Sequence, residues 1–227
     1  MMETVKILYK DDMIAVAVKP CGVLSQPDRT GEPAMTDLLR AQTGKEVFPI
    51  HRLDRAVGGV MLFAMTRAAA GKLSALVGTD AFEKEYLAAV HGIPSAPKGD
   101  FEDFLYHDAK RNMTSVVSAG TKDAKNARLS YTLLQTDAEE ALSLVRVRLH
   151  TGRTHQIRVQ FSSRNMPIAG DGKYGARDRM GLALWSYKLS FRHPQKKKRM
   201  TFTALPDEAS SPWDLFSWTQ KEEKDGI

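Results

Sequence analysis

The sequence predicts an α+β protein built on a mixed, mostly antiparallel central sheet flanked by a few helices. Three observations carry this. Period-two apolar segments recur along the whole chain, only three stretches have helical spacing, and strands are grouped instead of alternating regularly with helices. At 227 residues, with 42% apolar and 26% charged residues, one globular domain is expected over residues 1–220, followed by a polar tail at 221–227.

Residues 5–9 and 13–18 read as a hairpin turning at Asp11-Asp12, and Lys19-Pro20-Cys21-Gly22 leads out of it. Thr36 to Gln42 reads as a short helix capped by Thr36 and stopped by Gly44. The apolar run 60–65 is a buried strand, followed by a helix from Arg67 to Val77 that closes at Gly78. Glu83 to His91 alternates as a strand, as do 112–117, 128–134 and 142–150, with Gly120 to Asn126 as a loop. Residues 153–164 have helical spacing, with Ile157 and Phe161 one turn apart. Trp185, Tyr187, Leu189 and Phe191 share one face of a strand whose hairpin partner is 198–204.

Composition excludes several classes. No apolar run approaches the roughly 20 residues needed to span a bilayer. The start, Met1-Met2-Glu3-Thr4-Val5-Lys6, lacks the layout of a secretory signal. The single cysteine, Cys21, reads as a small packed residue and forms neither an internal disulfide nor a thiolate metal cluster. A cytoplasmic location is expected, with a monomer as the default state.

The net charge of +6 points towards a polyanion partner, and its distribution says more. No acidic residue occurs between Glu140 and Asp171, a window that holds Arg146, Arg148, Arg153, Arg158 and Arg164. Five arginines without local counter-charges are expected to repel unless an anion binds them. Within strand 142–150, Arg146, Arg148 and His150 fall on the face opposite Val145, Val147 and Leu149. Gly152 then permits a tight turn into the following helix, whose start would attract a phosphate or carboxylate. A second basic run, Lys196, Lys197, Lys198 and Arg199, reads as a hairpin turn: either a solvated loop or an extension of a nucleic-acid surface.

The segment His51-Arg52-Leu53-Asp54-Arg55 sets a carboxylate between two arginines just before the buried run that opens at Gly58-Gly59. An ionised acid beside a packed strand is costly unless it has a partner. A structural ion pair and a catalytic acid both answer that description. His51 and His155 lack a third ligand at zinc spacing, so metal binding is set aside, and general-base work with it; contacts to RNA phosphates or bracing of loops are expected instead.

Four motifs in order give the chain a resemblance. His51-Arg52-Leu53-Asp54-Arg55, Lys84-Glu85-Tyr86-Leu87 running on to Gly92, Gly152-Arg153-Thr154-His155-Gln156-Ile157-Arg158 followed by Pro167 to Asp171 and Tyr174-Gly175, and the entrance Lys19-Pro20-Cys21-Gly22 are similar to the signatures of the RluA family of RNA pseudouridine synthases. The resemblance covers nearly the whole chain. It implies a mixed-sheet catalytic domain, with a cleft across its middle, that isomerises uridine in structured rRNA or tRNA to pseudouridine after flipping the base out. No cofactor and no metal are implied, in keeping with a sequence that lacks HExxH, paired CxxC and a phosphate-binding glycine loop.

By resemblance Asp54 is the catalytic acid and Tyr86 lies against the target base. Arg153 is expected beside Asp54, holding it ionised. Arg52 would hold the nucleotide out of its stack, with Thr154, His155 and Arg158 as further substrate contacts. Arg146, Arg148, Lys196, Lys197, Lys198 and Arg199 would form the RNA surface. One departure stands out. Where the family commonly shows Asp-Thr-Ser-Gly after the arginine, this chain has Ala56-Val57-Gly58-Gly59, so packing of Val57 and backbone bonds are expected to hold the loop. An N-terminal RNA-binding domain, common in relatives, is not expected, which leaves affinity to the domain's own basic surface. Two rival functions make different demands on the sequence. A non-catalytic RNA-binding protein on this scaffold predicts loss of Asp54, Tyr86 or Arg153, and a hydrolase with Asp54 as nucleophile calls for a second acid and a metal.

Overall fold

Asp11 shapes the first hairpin: its Oδ1 accepts the N–H groups of Met13 and Ile14 at 2.9 and 3.0 Å. This turns β1 (Ile7–Lys10) into β2 (Ile14–Lys19) in the computed structural model, which describes residues 4–217. The remaining elements are α1 (Met35–Thr43), β3 (Phe48–Pro49), β4 (Gly58–Ala64), α2 (Arg67–Ser74), β5 (Phe82–His91), β6 (Lys98–Asp108), β7 (Met113–Val117), β8 (Lys125–Asp137), β9 (Leu142–Leu149), α3 (Gln156–Ser162), β10 (Leu184–Arg192) and β11 (Arg199–Thr203).

The strands form one sheet in the order β1-β2-β4-β10-β5-β9-β8-β6-β7, with β3 added to β4 and β11 to β10. Of these strand pairs only β4–β10 is parallel, so the sheet is mixed and mostly antiparallel, as the sequence predicts. All seven residues of β4 are buried, and its side chains alternate between two cores. Met61 and Phe63 join the main one with Ile157 and Phe161 of α3, while Val60 and Leu62 join Ala69 and Leu73 of α2. Burial on both faces is why this strand reads as an unbroken apolar run.

The β4–β10 seam depends on glycine. Gly59 has φ 116°, and a Cβ there would stand 2.2 Å from Ser186 O and 2.6 Å from Ser186 N. Backbone cannot withdraw as a flexible side chain can. Gly59→Ala is therefore expected to cost at least about 2 kcal/mol, read as a lowered denaturant midpoint at unchanged slope.

Several boundaries differ from those expected. The N-cap of α1 is Ala34, whose N–H donates to Asp37 Oδ2 at 3.1 Å; Thr36 lies inside the first turn with a buried hydroxyl that has no partner among the described residues. Gly44 closes that helix in the left-handed conformation, as expected. Helix α2 stops at Ser74 and continues to Gly78 as turns. Helix α3 begins only at Gln156, because His155 takes φ 53°. Strand β6 was not legible at all: Lys98–Asp108 is acidic and irregular in pattern, and it becomes a strand through pairing with β8 on one side and β7 on the other. Its pairing also draws β8 back to Lys125, into the expected loop. The expected tail at 221–227 lies outside the described residues. No helix among them is long and apolar enough to cross a membrane.

Candidate active site

Asp54 lies on the loop that enters β4, at the seam of the sheet. That loop is pinned from several sides. Ser25 Oγ donates to Leu53 O at 2.8 Å and accepts from Leu53 N–H at 3.0 Å. Lys19 is fully buried, and its ammonium donates to Pro20 O and Arg55 O, both at 2.9 Å; burial pulls its pKa down to about 8. Arg55 reaches Gly22 O at 2.9 Å and pairs with Glu32. Val57 is 2% exposed in the main core, and its N–H donates to Asp54 O, so packing and backbone bonds stand where the family's polar loop would be. His51 braces the far side: its Nε2 accepts from Leu62 N–H at 3.2 Å, and burial lowers its pKa to about 3, leaving it neutral.

The Asp54 carboxylate opens into a cleft of about 820 Å³, whose other walls come from β5, the end of β9 and the start of α3. Its Oδ2 accepts from Arg158 Nη1 at 3.1 Å and lies 3.6 Å from His155 Nε2. Arg158 is held in turn by Asp171, which accepts from Nε at 2.7 Å and from Nη2 at 2.8 Å in a two-point fork. The guanidinium also lies over the Tyr174 ring, 5.0 Å from its centre. Tyr174 OH accepts from Thr114 N–H at 2.9 Å and meets His155 Nδ1 at 2.8 Å. Burial lowers the His155 pKa to about 4, so its ring is neutral near pH 7. Tyr86 projects from β5 into the same cleft; burial first, then the charge of Asp54, raises its hydroxyl pKa well above the ordinary value.

This corrects the expectation for Arg153. Its Nε donates to Asn126 O at 2.9 Å, and its exposed side chain lies along the cleft without reaching Asp54. The reason is helical geometry. Arg158, in the first turn of α3, is turned to the acid and the N-cap His155 lies beside it, whereas Arg153 lies two residues before the cap. Arg52 and Thr154 are exposed at the cleft wall.

The expected anion site at the helix start is also corrected. Helix α3 has seven residues, and the Arg153 N–H already donates to Gln156 Oε1 at 3.0 Å. Nor do four of the five arginines lack counter-charges, Arg153 being the exception. Arg146 meets Glu85 at 3.8 Å, Arg148 meets Glu83 at 3.0 Å, Arg164 meets Asp103 at 2.9 Å and Arg158 meets Asp171 and Asp54. A window without acids in sequence is thus supplied with them by β5, β6 and two loops. In the β10–β11 turn, Lys196 donates to Asp11 at 3.0 Å and Arg199 pairs with Glu83 at 2.8 Å, and neither lines the cleft.

Residues 13–163 match the family model described as RNA pseudouridylate synthase. The chain is 33% identical to the dual-specificity RNA pseudouridine synthase RluA of Escherichia coli (strain K12) over 206 residues, 88% of this chain and 93% of that one. It is 33% identical to tRNA pseudouridine synthase C of Haemophilus ducreyi over 241 residues, 93% of this chain and 96% of that one. The fold is shared with human RNA pseudouridylate synthase domain containing 1, at a TM-score of 0.79 and 21% identity over 98% of this chain and 94% of that chain. Human RNA pseudouridylate synthase domain containing 4 gives a TM-score of 0.74 at 22% identity, covering 92% of this chain and 90% of that chain.

Proposed function

The chain belongs to the RNA pseudouridylate synthase family, and from that premise we propose that Asp54 is the acid through which it isomerises uridine in RNA. The observation that carries this reading is the Asp54 carboxylate open to the cleft, with Arg158 bonded to it at 3.1 Å. In the reaction the bond between C1′ and N1 breaks and a bond between C1′ and C5 forms. C5 loses a proton and N1 gains one, so nothing is oxidised or reduced. Three routes are open to such a carboxylate: attack on the sugar carbon, attack on the ring, or removal of a sugar proton.

The remaining residues take supporting roles. Arg158 bonds to Asp54 and orients it, the part that the sequence pattern assigns to Arg153. Tyr86, neutral and buried, offers its ring to the target base. A uridine inside a helix hides its glycosidic bond, so the base must be extruded, and Arg52 at the rim is the side chain to hold it out. Thr154 and Arg153 line the path of the strand. Either rRNA or tRNA suits this reading, since structured RNA is recognised as much by shape as by sequence. Mapping pseudouridines by carbodiimide chemistry in cells with and without the gene tests it: a site that disappears with the gene identifies the substrate, and an unchanged map in every RNA counts against it. A monomer acting in the cytoplasm goes with the reading, and light scattering of the purified protein checks the first of these.

The basic turn extends the RNA surface. Because Lys196 and Arg199 already have acid partners, Lys197 and Lys198 carry most of its free charge. Neutralising both should reduce the slope of log affinity against log salt by about 0.7–0.9 for each phosphate these lysines neutralise, with turnover at saturating RNA nearly intact.

A further inference from the structure

Two lysines are buried among the described residues, Lys19 and Lys84, and they differ in their partners. Lys19 is held by two carbonyl oxygens. Lys84 on β5 is 9% exposed and lines the cleft, yet among the described residues its ammonium has no hydrogen-bond or ion-pair partner. The head group is packed against the turn before α3, where a Cβ on Gly152 would stand 3.0 Å from Nζ. Among the other cations of the cleft, Arg148 is neutralised by Glu83 and Arg158 by Asp171 and Asp54, whereas Arg52 and Arg153 are exposed to solvent. Lys84 is thus the buried one without a counter-charge among the described residues. A second donor on the wall also lacks an acceptor. His51 Nε2 accepts an amide hydrogen, which leaves the proton on Nδ1, and Nδ1 is buried without a partner among the described residues.

We infer that Lys84 binds an RNA phosphate inside the cleft, taking a phosphodiester oxygen next to the uridine whose base lies on Tyr86. This rests on the isomerase reading above and adds a substrate contact to it. Position supports it. Lys84 and Tyr86 are two residues apart on the same side of β5, about 6.6 Å along the strand, comparable with the span from a nucleobase to its own phosphate. Charge supports it too. Burial lowers the Lys84 pKa; an anionic phosphate oxygen offsets that desolvation better than the neutral oxygens of uracil do. Gly152 leaves the room that the ammonium needs.

The test uses an RNA oligonucleotide that the wild-type enzyme modifies, so that turnover on it checks the isomerase reading separately. Lys84→Met should weaken binding of this RNA roughly ten- to a hundredfold and lower the salt slope by about 0.7–0.9. A neutral methylphosphonate at one of the two phosphates flanking the target uridine should weaken the wild type by a similar factor, and should weaken Lys84→Met no further. The free variant should melt no lower than the wild type, since an unpaired buried charge has been removed. Unchanged affinity and slope in a folded Lys84→Met overturns the inference, as do additive effects of the variant and the methylphosphonate at both phosphates. A lowered melting temperature with unchanged binding assigns Lys84 to the fold. If Lys84→Met fails to fold, the wild type alone decides, because full affinity for both methylphosphonate RNAs rules the contact out.

Discussion

Asp54→Asn is expected to abolish pseudouridine formation, by at least about ten-thousandfold, while leaving RNA affinity within a few fold of the wild type. The amide keeps the size of the side chain and an oxygen to accept from Arg158, but it removes the negative charge on which all three routes depend. The fold should survive. Asp54 is 31% exposed, and Arg158 retains its two bonds to Asp171, so no buried charge is stranded. Product release from a tritiated uridine substrate, set beside a binding isotherm on the same RNA, separates chemistry from affinity. Loss of turnover with binding retained also separates an enzyme from an RNA-binding protein on the same scaffold. Unchanged turnover would remove Asp54 from the mechanism.

The acid was legible because its surroundings are local: a carboxylate between arginines, a glycine pair and an apolar run are contiguous in sequence. The two-sided burial of β4, the β1–β2 and β10–β11 hairpins and the core spacing of Ile157 and Phe161 were legible for the same reason. What failed was non-local. Strand β6 has no clear alternation and exists through its two neighbours. The counter-charges of Arg148 and Arg164 come from residues 65 and 61 positions away in sequence, and that of Arg146 also comes from β5, so no local pattern reports them. The helix expected from residue 153 begins at Gln156, and it is Arg158 in its first turn, not Arg153 before it, that reaches Asp54. Asp171 follows the third motif closely in sequence, and its pairing with Arg158 was the missing clue.

The second large effect follows from that correction. Arg158→Met should lower turnover at least about a hundredfold and destabilise the protein by roughly 3–5 kcal/mol, because Asp171, with a side chain 1% exposed, is left without a charged partner among the described residues. The two losses have separate causes and can be separated. In Arg158→Met combined with Asp171→Asn, the buried carboxylate is gone, so most of the stability should return, while turnover stays low because Asp54 still lacks its guanidinium. Arg153→Ala is the contrast. Its side chain is exposed and makes one bond to a backbone oxygen, so stability should change by less than about 0.5 kcal/mol. Its effect on turnover at saturating RNA should be small beside that of Arg158→Met. Denaturant midpoints and single-turnover rates for the wild type and these three variants decide the matter. If Arg153→Ala loses turnover as fully as Arg158→Met, the guanidinium that serves Asp54 with RNA bound is the one expected from sequence, and the cleft must rearrange on binding to bring it there.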